Sequence, residues 1–120
     1  MEEGFKELIS RYQGSHSLPR QFYTSETLYK MDIEHYWNHS WIWVGHINQI
    51  SNVGDFFLFD YGYESIIVAR DQNKTINAFL NVCRHRGPRV CIENSGNTRV
   101  FACPYHAWTY EPNGNLRAAR

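Results

Sequence analysis

The stretch from Thr75 to Tyr110, TINAFLNVCRHRGPRVCIENSGNTRVFACPYHAWTY, decides what this chain can be. It contains two strand-like segments rich in β-branched and aromatic residues, and each ends directly in a cysteine-containing loop. The first loop, residues 83–88, reads CRHRGP, and the second, residues 103–108, reads CPYHAW. Each loop offers one thiolate and one imidazole within a few residues. This pattern predicts a metal site built from two loops at the ends of strands.

The chemistry and spacing of the candidate ligands narrow the kind of metal site. Two cysteines and two histidines suit either a tetrahedral zinc ion or a [2Fe–2S] cluster in which two imidazoles hold one iron. Structural zinc sites usually receive Cys-x2-4-Cys or His-x3-5-His pairs, whereas Cys83 and His85 form Cys-x-His, and Cys103 and His106 form Cys-x2-His. Mixed loops favour the cluster, because each loop can give its thiolate to one iron and its imidazole to the other. Zinc is the alternative.

Composition and charge exclude several classes of function. The chain has 120 residues, with 12 Lys plus Arg and 12 Asp plus Glu, so its formal net charge is zero. Neither a nucleic-acid partner nor a polybasic membrane contact is expected at this charge. The N-terminus lacks a secretory signal pattern, and the apolar runs are too short to cross a bilayer. We therefore expect a cytoplasmic protein whose three cysteines do not form a disulfide framework.

The rest of the sequence predicts a mainly β domain preceded by a helical segment. Residues 1–24 are expected to be irregular, and Ser25 is the candidate N-cap of a helix that runs to about Ser40. From there on, short strand-like segments alternate with turn residues, which is typical of an antiparallel sandwich or small barrel. The predicted strands are residues 41–47, 56–59, 65–69, 75–82 and 98–102, with a final pair around the Asn-Gly turn at 113–114. Residues 60–62, which end in Gly62, are predicted to form the turn of a hairpin, and residues 95–97 to form a turn. The predicted division is residues 1–40 for the arm and helix and 41–120 for the β domain.

The two loops resemble the ligand loops of the Rieske family, in which a Cys-x-His pair is followed by a Cys-x2-His pair. The resemblance implies that Cys83 and Cys103 bind the inner iron of a Rieske [2Fe–2S] cluster, and that His85 and His106 bind the outer iron. It also implies the small antiparallel β-sandwich or barrel of the family, with both ligand loops at one tip.

The branch of the family is indicated by residues between and around the ligands. Pro88 and Tyr105 occupy the positions at which cytochrome-complex members carry a pair of disulfide-forming cysteines, so the resemblance is to the oxygenase and ferredoxin branches. Over residues 18–117 the chain looks like an aromatic-ring-hydroxylating-type oxygenase α subunit. In the general character of its sequence, the chain is similar to the branch that acts on quaternary amines such as glycine betaine, choline or carnitine.

The resemblance implies the Rieske portion of a non-haem iron oxygenase α subunit, an oxidoreductase. Such a portion takes electrons from a reductase or ferredoxin and passes them to a mononuclear Fe(II) for O2-dependent hydroxylation or demethylation. We expect that iron only in a catalytic domain beyond these residues, so the 120-residue chain has no catalytic residue and only transfers electrons. The full-length protein is expected to be a homo-oligomer, as a trimer. The alternatives are a stand-alone Rieske ferredoxin and a structural zinc module.

A second histidine cluster lies upstream of the loops. Asp32, His35 and His39 form Asp-x2-His-x3-His, which is close to a 2-His-1-carboxylate iron site. They share one face of the predicted helix by ordinary periodicity, and we expect them not to bind iron. Near the loops, Trp108 is expected to pack beneath the ligands, and Cys91 to be a small buried hydrophobic residue.

Overall fold

The structure, a computed structural model, describes residues 2–119, with side chains from residue 4 onward. The chain divides into two compact units, Met1–Ile42 and Trp43–Arg120. The first unit is helical, and the strands that the structure describes all lie in the second unit. The predicted fold class, a mainly antiparallel β structure with an N-terminal helical segment, is confirmed.

The first unit contains more helix than its sequence predicts. Its helices are α1 Glu2–Ser10, α2 Gln21–Thr24 and α3 Glu26–His35, followed by a 3-10 turn at Trp37–His39. Ser25 caps α3, because its hydroxyl accepts the N–H of Leu28 at 3.3 Å, as predicted. The irregular structure expected for residues 1–24 is wrong, since α1 and α2 lie there and their Phe5 and Phe22 rings are 6.1 Å apart. No helix within residues 2–119 has the length and apolar character needed to span a membrane.

The second unit consists of antiparallel strands in two sheets. One sheet has the order β3-β2-β1-β4, and the other has the order β5-β6-β7. The strands are β1 Asp55–Tyr61, β2 Glu64–Arg70, β3 Ile76–Leu80, β4 Ser95–Asn97, β5 Phe101–Ala102, β6 Thr109–Tyr110 and β7 Leu116–Ala118. The hairpins predicted around Gly62 and Gly114 are both present, and each glycine has a positive φ, of 56° and 86° respectively. These two turns therefore form where the sequence predicts them.

The core of this unit contains both sheets and the two candidate cysteine ligands. Its buried members are Phe56, Ile67, Ala69, Cys83, Val90, Cys91, Phe101, Cys103 and Tyr110. Phe56 of the first sheet and Phe101 of the second meet edge to face, with ring centroids 5.1 Å apart. Burial of each such aromatic ring contributes about 1.5–3 kcal/mol. Packing between the sheets therefore fixes the strand ends that carry the two loops.

The strand predicted for residues 41–47 is wrong. His46 instead begins a 3-10 helix, Ile47–Ile50, and makes reciprocal hydrogen bonds with its first turn. The Asn48 N–H donates to His46 Nδ1 at 3.2 Å, and the His46 N–H donates to Gln49 Oε1 at 2.7 Å. These local bonds satisfy backbone and side-chain groups without a neighbouring strand, and so compete with the β-propensity of the aromatic residues.

The expectations for residues 95–102 are partly wrong. The segment predicted as a turn, Ser95–Asn97, is strand β4, and it pairs with β1 from Asp55 to Phe57. The strand predicted for residues 98–102 is limited to Phe101–Ala102. The Asn97 side chain explains why this segment is a strand and not a turn, since its Nδ2 donates to Asp55 Oδ1 at 2.7 Å and to the Val53 carbonyl at 2.9 Å. A turn-forming residue is thereby held at the edge of a sheet.

Candidate metal centre

Two loops at one end of the β unit carry the candidate ligands. The first ligand loop, residues 83–88, follows β3, and the second ligand loop, residues 103–108, connects β5 to β6. Cys83 and Cys103 are both members of the buried core, and the Cys103 thiol is one of the groups that lower the pKa of Cys83. The ring centroids of His85 and His106 are 4.8 Å apart. The structure therefore groups the four side chains that the sequence singles out into two pairs, two buried thiols and two neighbouring imidazoles.

The two ligand loops are closed by the same pair of backbone hydrogen bonds. In the first loop the Cys83 N–H donates to the Pro88 carbonyl, and the Gly87 N–H donates to the Cys83 carbonyl, both at 2.8 Å. In the second loop Cys103 bonds to Trp108 at 2.8 Å and Ala107 bonds to Cys103 at 2.9 Å in the same way. Counted from its cysteine, each loop has a positive φ at the same position. That position is Gly87 with φ 80° in one loop and Ala107 with φ 58° in the other.

The thiols lie in the core, in an environment that favours the thiolate. Cys83 is 2% exposed and Cys103 is 3% exposed. Burial raises the pKa of the Cys83 thiol, but hydrogen bonds outweigh burial and leave that pKa below its ordinary value. The donors are the Tyr110 hydroxyl, the backbone N–H groups of His85 and Arg86, and the Cys103 thiol. A cysteine held in this way is prepared to bind a metal as the thiolate.

Tyr110 links the two loops. It follows the second ligand loop in sequence, yet its hydroxyl lies 3.3 Å from the Cys83 sulfur and accepts the N–H of Arg84 at 2.9 Å. Burial and the bond with the Cys83 thiol raise the pKa of Tyr110, so the phenol keeps its proton at neutral pH. With the Arg84 N–H occupying an acceptor site of the oxygen, the hydroxyl hydrogen is free to point at the sulfur.

The imidazoles lie at the surface, in contrast to the thiols. Both His85 and His106 are exposed. The Trp108 indole stacks on His85 with centroids 4.8 Å apart and planes 7° apart, so Trp108 packs against a candidate ligand as expected. Its buried Nε1 has no hydrogen-bond partner among the residues described. Tyr105 packs against His106, with centroids 3.9 Å apart. Aromatic neighbours therefore limit how far each imidazole can turn.

The donor set fits a two-metal cluster. The four side chains form two pairs, buried sulfurs and exposed nitrogens, and such a cluster needs two protein ligands on each metal. Among the described side chains, no group of three or more His, Cys, Asp or Glu residues is arranged to hold a single metal ion. This applies to Asp32, His35 and His39 and equally to the four loop residues, whose cluster would need only two protein ligands on each iron. Backbone N–H groups aimed at a cysteine sulfur are also a feature that tunes iron–sulfur clusters.

One supporting residue was missed by the sequence analysis. Asn81 is 3% exposed, and its Oδ1 accepts the N–H groups of Val90 and Cys91 at 2.9 and 2.8 Å. Its Nδ2 donates to the Cys91 carbonyl at 2.7 Å and to the Ser65 hydroxyl at 3.2 Å. The available signal was an amide side chain at the end of an apolar strand, two residues before a ligand, because a buried amide must find partners.

The remaining polar groups near the loops have distinct environments. Arg84 and Arg86 are exposed, whereas Arg89 makes an ion pair with Asp60 at 3.3 Å. Cys91 is 4% exposed, as expected for a buried small residue, and its sulfur faces Glu93 rather than the other cysteines. Burial raises the pKa of the Cys91 thiol. Cys91 is therefore chemically different from Cys83.

Comparisons with known proteins point to one family. The model of the Rieske [2Fe-2S] domain matches residues 40–120. The glycine betaine monooxygenase oxygenase subunit of Chromohalobacter salexigens is 39% identical over 110 residues, which cover 92% of this chain and 25% of that protein. The biphenyl 2,3-dioxygenase subunit alpha of Rhodococcus jostii is 41% identical over 110 residues, covering 92% of this chain and 24% of that protein.

Solved structures give the same result. Naphthalene 1,2-dioxygenase from Rhodococcus sp. bound to indole matches with a TM-score of 0.86 and 30% identity, over 98% of this chain and 27% of that one. A quaternary ammonium Rieske monooxygenase in complex with gamma-butyrobetaine matches with a TM-score of 0.78 and 36% identity, over 85% of this chain and 29% of that one. The chain spans about a quarter of the length of the relatives it matches.

Proposed function

The chain belongs to the Rieske [2Fe–2S] domain family, and from that premise we propose that its two loops hold the cluster of the family. Cys83 and Cys103 bind the inner iron, and His85 and His106 bind the outer iron. The observation that carries this assignment is the separation of two buried thiols in one core cluster from two neighbouring, exposed imidazoles. When bound, such a cluster supplies reversible one-electron transfer at a potential that hydrogen bonds to its sulfurs adjust.

The protein residues divide the work of electron transfer. The core around Cys83 and Cys103 excludes water from the thiolate side, and Tyr110 with the N–H groups of the first loop holds the Cys83 sulfur in place. The exposed edges of His85 and His106 give redox partners their approach to the site. The electrons thus enter and leave on the imidazole side of the domain.

We propose further that the domain serves an oxygenase α subunit. Its relatives include the oxygenase subunit of a monooxygenase and the α subunit of a dioxygenase. A reductase or ferredoxin would reduce the domain, and the electron would pass to a mononuclear non-haem iron for O2-dependent hydroxylation or demethylation. The working form would be a cytoplasmic homo-oligomer, a trimer, in which the catalytic iron lies in a separate domain.

For the substrate we propose a quaternary amine. The support is the 39% identity to a glycine betaine monooxygenase subunit and the 36% identity to a quaternary ammonium Rieske monooxygenase solved with gamma-butyrobetaine. The test is made with the full-length oxygenase, a reductase and O2. Consumption of a quaternary amine with formation of its demethylated product supports the proposal. Turnover of biphenyl with none of glycine betaine, choline, carnitine or gamma-butyrobetaine contradicts it.

The metal assignment is tested by elemental analysis of the 120-residue chain after anaerobic reconstitution. We expect two irons and two acid-labile sulfides per chain. A colourless chain with one zinc and no sulfide would contradict the assignment and support a structural zinc module.

The electron-transfer role needs a kinetic test. The loaded chain is mixed with a reduced ferredoxin or reductase, and its visible absorption is followed in a stopped-flow instrument. We expect bleaching by one electron per chain, and recovery of the colour when an oxidant is added. The same chain given a quaternary amine and O2 should release no product, because it contains no proposed catalytic residue. A loaded chain that no physiological donor can reduce would contradict the role.

A further inference from the structure

The bases of the two ligand loops are closed in different ways. Phe101 and Tyr110 lie two residues before and seven residues after Cys103, and they pair through the backbone as β5 and β6. The same positions around Cys83 are Asn81 and Val90. These two residues lie outside the described strands, because β3 ends at Leu80 and β4 begins at Ser95. The first ligand loop therefore lacks the strand pairing that closes the second.

A side chain occupies the place of that pairing. Asn81 Oδ1 accepts the Val90 N–H at 2.9 Å and the Cys91 N–H at 2.8 Å, while Nδ2 donates to the Cys91 carbonyl at 2.7 Å. An amide side chain has the same donor and acceptor as a peptide group. Asn81 therefore both accepts from and donates to the returning chain, as a residue in a β-ladder does.

The Asn81 amide is itself held by the first sheet. The backbone N–H of Asn81 donates to the Ser65 carbonyl at 2.8 Å, and Nδ2 also reaches the Ser65 hydroxyl at 3.2 Å. Ser65 lies in β2, two residues before the core residue Ile67. Both ends of the first ligand loop are thus tied, through one buried side chain, to the central part of the sheet.

We propose that Asn81 is a positioning residue for Cys83 and His85, and that its side-chain amide replaces the missing strand pairing at the base of the first ligand loop. The proposal rests on the function proposed above. Without the amide, the chain from Val90 to Cys91 can move away from Asn81, and the first loop loses its register with the second. A change in register alters the positions of one thiolate and one imidazole, but not of Cys103 and His106.

The test compares three variants of the reconstituted 120-residue chain. Asn81→Asp keeps the accepting oxygen but loses the donor to Cys91 and Ser65. Asn81→Ala loses both the accepting oxygen and the donating amide group. Asn113→Asp is the matched control, since Asn113 is exposed and its Oδ1, which the substitution keeps, accepts the Asn115 N–H at 3.0 Å. The measurements are the rate of iron release to a chelator and the electron-paramagnetic-resonance spectrum of the reduced, loaded fraction.

The expected result is a graded loss. Loss of a group that supports a metal ligand usually weakens metal binding about 10–100-fold. Asn81→Asp should therefore release iron about tenfold faster than the wild type, and Asn81→Ala faster still, with shifted g-values in both. Asn113→Asp should match the wild type in rate and spectrum. An Asn81→Asp chain with wild-type release and spectrum overturns the proposal. Faster release with an unchanged spectrum also overturns it, because the amide would then support folding without positioning the ligands.

A measurement on the wild type keeps the proposal testable if the Asn81 variants fail to fold. In hydrogen exchange, the Val90 and Cys91 amides should be protected relative to the amide of exposed Ile92. Equal exchange at all three overturns the proposal. Failure of this proposal can be distinguished from failure of the proposed function. A wild-type chain that takes up no cluster contradicts the function, whereas a loaded wild type with indifferent Asn81 variants contradicts only the positioning role.

Discussion

The two ligand loops have the same internal hydrogen bonds but different support. Each is closed by a bond from the cysteine N–H to the carbonyl five residues later and by a return bond to the cysteine carbonyl. The second loop lies between two paired strands, whereas the first is closed at its base by the Asn81 side chain and receives the Tyr110 hydroxyl from across the core. The conformation of each loop is therefore local, while the placement of the first depends on residues outside it.

This difference shows that the two loops of the proposed metal site are supported in different ways. Backbone pairing between Phe101 and Tyr110 positions the second loop without any particular side chain. The first loop needs specific polar side chains, each of which must be buried with its partners satisfied. Substitutions of support residues should therefore affect Cys83 and His85 more than Cys103 and His106.

The largest effect is expected from the cysteines themselves. Cys83→Ala and Cys103→Ala should each abolish retention of iron and labile sulfide, because in the proposed cluster each loop supplies one of the two thiolates. Cys91→Ala is the matched control, since Cys91 is equally buried but faces Glu93. It should retain the full iron content, at a cost in stability of about 1 kcal/mol. The measurement is iron and sulfide per chain. Retained cluster in Cys83→Ala would show that the first loop is dispensable.

A smaller effect is expected from the link between the loops. Tyr110→Phe removes the hydroxyl that lies 3.3 Å from the Cys83 sulfur. In the proposed cluster, a hydrogen bond to that sulfur would stabilise the more negative, reduced state. Loss of one such bond, at about 1 kcal/mol, lowers the reduction potential by roughly 40 mV for a one-electron couple. Tyr63→Phe is the control, because Tyr63 is 77% exposed. Potentiometric titration of the loaded chain decides, and an unchanged potential in Tyr110→Phe would exclude the hydroxyl as a tuning group.

The smallest effect concerns the matched positive-φ positions. Gly87→Ala adds a methyl group that meets nothing within 4 Å, so its cost is backbone strain alone. We expect a loss of roughly 1 kcal/mol in the free energy of unfolding, after the lower entropy of the unfolded chain is counted. Ala107→Gly should have the opposite sign and a similar size, because φ is positive there too. Thermal unfolding of both variants is the measurement. If both substitutions changed the free energy of unfolding in the same direction, the positive-φ positions of the two loops would not be equivalent.

The sequence predicted those parts of the structure that depend on neighbouring residues. The Ser25 cap and the hairpins at Gly62 and Gly114 are all local patterns. The Cys–His spacing within each loop is also local, and the assignment of those four residues as ligands stays a prediction. Each depends on spacing or conformation within a few residues, so a single sequence suffices.

The supporting contacts depend on distant residues and were not predicted. Tyr110 is 27 positions from Cys83, and Asn81 is 16 positions from Ser65. Many polar residues of the chain could make such hydrogen bonds, and the packing of the two sheets determines that Tyr110 and Asn81 make them. The false strand at residues 41–47 has a related cause, since β-propensity cannot show whether a partner strand exists.

The central claim is that two sulfurs and two imidazole nitrogens share one two-iron centre. The most direct test is pulsed electron paramagnetic resonance of the reduced 120-residue chain. We expect hyperfine couplings from two histidine nitrogens, with one lost in a variant of either His85 or His106 that retains iron. A reduced cluster with no nitrogen coupling, or couplings that persist when both histidines are replaced, would contradict the account.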